Sequence, residues 1–300
     1  MYDLLIIGAG PAGISAGIYA VSRGMKTLIL EKSKVGGLIG NVSTVTHYAG
    51  IMSGETGSTF AERLKEQALS AGVEIRYEEV TEVSLSSEIK KVSTASQIYE
   101  ARQIILANGS SPRMLQIPGE KELAGRGMRM NAAKHAGQYA GKHVYVVGGA
   151  DGAVKEAIYL AGIAAKVTIL HFEENLGCIA EFQKKIRDLS NVEVRLNSRL
   201  QGVYGAEQVE RLEIANVKTG EIETVEDPGC GIFVYAGTVP NSGLYGELKL
   251  ADGYICTDEQ MKTSLPGVYA VGDIRVKPIR QVSTAVADGT IAAVNAAANR

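Results

Sequence analysis

The chain is 300 residues long, 45% hydrophobic, and carries a formal net charge of −2. That length allows one large or two small cored domains. The near-neutral balance lacks the basic footprint of a nucleic-acid binder, and no apolar run is long enough to span a bilayer. The opening run Met1-Tyr2-Asp3-Leu4-Leu5-Ile6-Ile7 has no basic n-region and no small-residue cleavage site, so it reads as a strand and not as a signal peptide. The strand, Asp3 to Ile7, leads into Gly8-Ala9-Gly10-Pro11-Ala12-Gly13 and a helical pattern to about Arg23. A second strand, Thr27-Leu28-Ile29-Leu30, ends at Glu31. A further strand covers Gln103 to Ala107, and Pro112 and Pro118-Gly119 break the chain after it.

The same design then recurs. A strand from His143 to Val147 meets Gly148-Gly149-Ala150-Asp151-Gly152-Ala153, followed by a helix to about Gly162 and a strand Lys166 to Leu170 ending at His171. Glu31 and His171 lie equally far from the first glycine of their units. Pro240-Asn241-Ser242-Gly243 breaks the chain again. Val268-Tyr269-Ala270-Val271 reads as a buried strand and Val282 to Ala298 as the final helix. Two such units predict an α/β protein with two Rossmann-like, three-layer dinucleotide-binding domains. The second is expected as an insertion, residues 116–242, into a discontinuous first domain formed by 1–115 and 243–300.

Each glycine of the first loop has a distinct expected role. Gly8 permits the turn after the strand, Gly10 lets a pyrophosphate approach, and Gly13 lets the helix pack on the sheet. The N-terminus of the helix that follows offers free N–H groups and a positive dipole end to phosphates. Glu31 can accept hydrogen bonds from a ribose diol. Three cysteines, Cys178, Cys230 and Cys256, are odd in number and widely spaced, which fits a reducing cytoplasm. No metal site is expected.

Several distant segments then agree: Gly36-Gly37 after the acid, Ala107-Asn108-Gly109 at a strand end, Val271-Gly272-Asp273-Ile274 at another, and Arg280-Gln281-Val282-Ser283-Thr284-Ala285 opening the last helix. With Val146-Val147-Gly148-Gly149, Tyr235 to Asn241 and Gly253 to Asp258, they make the chain resemble the low-molecular-weight thioredoxin reductases over nearly its full length. The resemblance implies FAD, held in addition by Pro11, Ala12, Lys32, Leu38, Val80, Ala107 and Gly109. Gly272 and Asp273 would hold the ribityl–pyrophosphate part, and Arg280, Gln281 and Val282 would lie beside the flavin. Leu38 and His47 stand where the family has Gln and Asn. His47 could supply a proton or act only as a hydrogen-bonding spacer. A homodimer formed largely through the flavin domain is implied as well.

Two departures shape the functional expectation. Asn131-Ala132-Ala133-Lys134 stands where the family carries Cys-x-x-Cys, and His135 replaces the acid that follows it. Lys134 and His135, like His47, are candidate catalytic groups or else a solvated loop. The middle glycine of the second loop is Ala150, and His171-Phe172-Glu173-Glu174 replaces His-Arg-Arg, so NADPH is disfavoured and NADH less so. The sequence therefore leads to an FAD-dependent oxidoreductase without an internal dithiol, with electrons entering and leaving at the flavin. A ferredoxin or flavodoxin-type carrier is the expected donor and a small molecule a further acceptor. An NADH-dependent flavin reductase or oxidase and a non-catalytic flavin-binding sensor are the alternatives, and a thioredoxin reductase proper is disfavoured.

Overall fold

The computed structural model describes residues 1–299; Arg300, the last residue of the expected 243–300 segment, lies outside them. The chain divides into two compact units. One comprises Met1–Ser111 and the chain from Val239 onward, the other Pro112–Thr238. Residues 112–115, expected in the first unit, therefore fall in the second, and 239–242 do the reverse. The reason is visible in local pairing. The Asn241 amide donates to the Gly109 carbonyl at 3.0 Å, and Asn241 Nδ2 to the Asn108 carbonyl at 2.7 Å, which ties 241 to the first unit.

The first unit is built on parallel strands Glu74–Tyr77, Thr27–Glu31, Tyr2–Ile7 and Ile98–Leu106, in that spatial order. Residues along Tyr2–Ile7 alternate between two cores. Leu4 and Ile6 pack with the helices Pro11–Val21 and Val282–Ala298, while Leu5 and Ile7 pack with Leu28, Leu30, Ile104 and Tyr245. A strand buried on both faces must be apolar there, which is why its buried part, Leu4–Ile7, reads as an unbroken hydrophobic run. The strand Ile98–Leu106 is shared along its length. Its first half pairs antiparallel with Lys90–Thr94 and its second half parallel with Val268–Ala270. Its burial follows the pairing, alternating at first and continuous at the end.

The second unit repeats the plan with parallel strands Val192–Arg195, Lys166–Leu170, His143–Val147, Gly231–Val234 and Met128–Arg129. Val144, Val146, Val167 and Ile169 pack on the helix Asp151–Ala161. Tyr145, Val147 and Leu170 face an antiparallel sheet of Ser198–Tyr204, Arg211–Asn216 and Ile222–Glu226. That small sheet, the helix Gly57–Ser70 and the strands Val80–Ser84 and Lys90–Thr94 are additions to the sequence reading. Among the described residues no helix is long and apolar enough to cross a membrane.

Candidate functional site: a dinucleotide cleft in the first unit

The turn after the first strand shows three glycines doing three different things. Gly8 has φ +104°, and a Cβ there would lie 2.5 Å from the Ala107 carbonyl oxygen, so both backbone shape and space require glycine. Gly13 is pressed into the loop: a Cβ would lie 1.9 Å from the Gly8 carbonyl oxygen. Gly10 is neither strained nor crowded. Its φ is −72°, and a Cβ would meet nothing within 4 Å. The empty space beside Gly10 is the approach that a pyrophosphate needs, at the N-terminus of the helix Pro11–Val21.

Gly10 opens onto a cavity of about 970 Å³. Gly8, Pro11 and Ala12 line its floor, and Glu31 and Lys32 its wall at the tip of the second strand. Gly37, the second of the paired glycines, and Leu38 line it, as do Val80 and, just past the end of the strand Ile98–Leu106, Ala107 and Gly109. Gly272, Asp273, Arg280, Gln281 and Val282 complete it from the C-terminal segment. Glu31 is buried; its Oε2 accepts from the Ala9 amide at 2.8 Å and its Oε1 from the Ser33 amide at 2.9 Å. Burial pushes the Asp273 carboxyl up from its usual range, and the Lys277 and Arg280 cations oppose the shift. The Arg280 guanidinium lies 4.1 Å from the centre of the Tyr254 ring.

Three residues expected in this set lie elsewhere. Gly13 sits beneath the loop as a packing contact. Gly36 has φ +112° and faces the Ala61 methyl, so it serves the turn and its packing. His47 lies on an exposed loop, with Nδ1 2.9 Å from Thr46 Oγ1. Conversely, the cavity wall includes Ser111, Asn241 and Leu244, which sequence reasoning passed over. Ser111 Oγ donates to Asn241 Oδ1 at 2.7 Å, and Tyr245 Oη to Asn108 Oδ1 at 2.9 Å. The pairing of Asn108 with Asn241 joins segments far apart in the chain. The only sequence signal for it is that each follows a strand end.

The residues present fit FAD. The unfilled space at Gly10 suits a pyrophosphate, the acid Glu31 suits a ribose, and the last helix aims its N-terminus into the same cavity. Arg280 Nε is buried and has no hydrogen-bond partner among the described residues, which is a donor kept for a ligand.

The equivalent turn in the second unit differs in detail. Ala150 has φ −83° and ψ 175°, nearly the backbone of Gly10, and is exposed, so the turn keeps the same shape with a methyl there. The His171 ring lies directly against Gly149, where a Cβ would meet it at 2.4 Å. His171 Nε2 is 3.1 Å from Glu173 Oε2, and Arg199 lies over the exposed Phe172 ring at 5.5 Å.

The segment lacking cysteines forms a short helix, Ala132–His135, whose N-terminus is capped by Asn131 Oδ1 accepting from the Lys134 amide at 2.9 Å. Lys134 is exposed, and His135 Nδ1 is buried with no hydrogen-bond partner among the described residues. Cys178, Cys230 and Cys256 are all free thiols.

Comparison with known proteins places this architecture. Residues 2–289 match the family described as pyridine nucleotide-disulphide oxidoreductase. The thioredoxin reductase of Peptoclostridium acidaminophilum is 42% identical over 302 aligned positions, covering 99% of this chain and 96% of that protein. The crystal structure of Lactococcus lactis thioredoxin reductase superposes with a TM-score of 0.95 at 34% identity, covering 99% of this chain and 98% of that one. A ferredoxin-flavin thioredoxin reductase from Clostridium acetobutylicum gives 0.54 at 29% identity, covering 99% and 97%.

These relatives overturn one expectation. The absence of cysteine at Asn131–Lys134 led to the expectation of a flavin enzyme set apart from thioredoxin reductase proper, yet proteins bearing that name match this chain from end to end. The exchange at Asn131–Lys134 is confined to one short helical turn, whereas the resemblance runs through both units. The chain belongs to the pyridine nucleotide-disulphide oxidoreductase family, as a flavoprotein oxidoreductase homologous to the thioredoxin reductases.

Proposed function

We propose that the chain binds FAD in the first-unit cleft and moves electrons between that flavin and protein redox partners. The carrying observation is that one cavity gathers the open side of Gly10, the buried acid Glu31, Asp273 and the N-terminus of the last helix. Bound there, FAD would supply reversible two-electron chemistry. The chain's own residues bind and orient it. Backbone amides after Gly10 face the phosphates, Glu31 meets a ribose, and Asp273 with Arg280 fixes the middle of the cofactor.

Two classes of partner follow. A thioredoxin-type protein is the acceptor that the names of the relatives suggest. A ferredoxin or flavodoxin-type carrier is the donor favoured by the ferredoxin-flavin relative and by the second unit's turn. There the Ala150 methyl takes the phosphate approach, and the His171–Glu173 pair stands where NADPH recognition needs cations. NADH is the nicotinamide donor left open by the same geometry. A homodimer formed through the first unit belongs to this reading, with light scattering of the purified protein as its check.

Anaerobic mixing tests the proposal. Reduced ferredoxin should bleach the flavin band faster than NADPH does, with NADH between them. Thiol release from oxidised thioredoxin should depend on the flavin. Failure of all three donors to bleach the flavin would overturn the reading.

A further inference from the structure

We propose that Asp288 is the positioning residue of the flavin cleft: from the buried side of the last helix it locks the segment Gly272–Val282 into its cavity-lining shape. The proposal rests on the first-unit cleft being the FAD site.

Asp288 lies in mid-helix and is only 4% exposed. Its Oδ2 accepts from the Gly272 amide at 3.0 Å, from Arg275 Nε at 2.8 Å and from Lys277 Nζ at 2.8 Å. Its Oδ1 accepts from Arg275 Nη2 at 2.8 Å. One carboxylate thus fixes three points along a segment that has almost no regular structure. Neither Asp288 nor Arg275 nor Lys277 lines the cavity, whereas Gly272, Asp273 and Arg280, from the segment they fix, do.

The clamp also reaches the phosphate end of the cleft. A Cβ on Gly289 would lie 2.1 Å from the Ala12 carbonyl oxygen, and one on Gly272 would lie 3.0 Å from the Ala12 methyl. The residue beside Asp288 is therefore seated on the first turn of the helix that faces the phosphates. Any shift of the last helix at this point moves both ends of the cleft.

Buried charge clusters are poor devices for raw stability, since apolar residues of similar volume serve as well or better. An apolar residue, however, cannot orient the Gly272 amide or hold two cations at fixed positions. The charges matter to the ligand too. Lys277 and Arg280 draw the Asp273 carboxyl down and Asp288 draws it up. The Asp288 carboxyl itself lies below its usual range: burial opposes this, and the hydrogen bonds and charges of Arg275 and Lys277 outweigh burial.

The test uses the intact 300-residue chain, stripped of flavin and reconstituted with FAD. Asp288→Asn should weaken FAD binding by about tenfold or more, the scale of losing hydrogen bonds to a buried charge. It should also shift the midpoint potential of the bound flavin to more positive values, because Arg275 and Lys277 are left uncompensated. Lys277→Met keeps the Gly272 and Arg275 bonds and serves where the first variant does not fold. It should weaken binding less and shift the potential to more negative values. Asp288→Glu should recover part of the affinity. A wild-type potential and dissociation constant in Asp288→Asn, or in Lys277→Met in its place, overturns the proposal alone. Wild-type protein that takes up no FAD removes the cleft assignment and this proposal with it.

Discussion

The Glu31 carboxylate accepts a hydrogen bond from the Ala9 amide at 2.8 Å, joining the tip of the second strand to the glycine turn that follows the first. The same carboxylate holds the Ser33 amide, so it shapes its own wall of the cleft before any ligand arrives. Glu31→Gln keeps the size but removes the charge, and with one acceptor oxygen in place of two it can keep only one of the two backbone bonds. It should loosen FAD by about tenfold to a hundredfold, matching about 1.5–3 kcal/mol for hydrogen bonds to a charged group. Fluorescence titration of the apo-protein measures it, and an unchanged dissociation constant would contradict the role.

Gly10 and Gly13 should separate binding from folding. Gly13→Ala drives a methyl into the Gly8 carbonyl and should lower apo-protein stability by about 1–3 kcal/mol or more. Gly10→Ala meets nothing in the protein, so the apo-protein should melt as wild type while FAD binding weakens. Thermal melts with and without FAD decide the matter. A Gly10→Ala apo-protein as damaged as Gly13→Ala would show that the space at Gly10 is not kept for a ligand.

This contrast also shows what a sequence can and cannot reveal. The Gly8–Gly13 turn and Glu31 are legible because everything that shapes them is local: a buried strand, a turn and an acid at the next strand's tip. Gly272, Asp273 and Arg280 are legible only through the resemblance to the thioredoxin reductases, carried by the segments in which they stand. Asn241 is not, because its role comes from pairing with Asn108 across more than a hundred residues of chain. Gly36 looks like a ligand glycine but answers to Ala61, and a spacing cannot tell a packing glycine from a binding one. His47 is chemically suggestive but lies on an exposed loop. The antiparallel sheet formed by 198–226 escapes notice because its strands are partly exposed and mix polar with apolar residues, unlike the continuous apolar runs of the buried parallel strands. The absence of cysteine at Asn131–Lys134 is legible, but its weight is not: one helical turn stands against likeness over the whole chain.

The three thiols should differ in reactivity. Burial pushes the Cys230 thiol up to about 12, with the nearby Asp227 charge adding to it, and burial also raises Cys178. Thiolate is the reacting form, so both should alkylate slowly in the native protein. Cys256 is only partly buried and should label first with iodoacetamide. Peptide mass spectrometry reads the order. Early labelling of Cys230 without denaturant would show that its strand end opens in the native state.

His135 gives stability a pH dependence. Burial, then the Arg129 and Lys134 cations, hold its imidazole below the usual 6.5. The unfolded chain therefore binds this proton at higher pH than the folded one. Above about pH 7 both forms are neutral and His135 contributes nothing; as pH falls through the ordinary histidine range the folded state loses stability, until the depressed pKa is passed. Melting temperatures of wild type and His135→Phe should run level near neutral pH and diverge in favour of the variant toward about pH 5. Curves that stay parallel would contradict the burial argument.

The most direct measurement is the flavin content of the purified chain. Heat release followed by chromatography, with the visible spectrum of the intact protein, should give FAD at about one equivalent per chain, as one dinucleotide cleft of this type holds. Uptake should fall in Gly10→Ala and Glu31→Gln. A colourless protein that binds no added FAD, or one whose uptake ignores both substitutions, would contradict the assignment of the cleft.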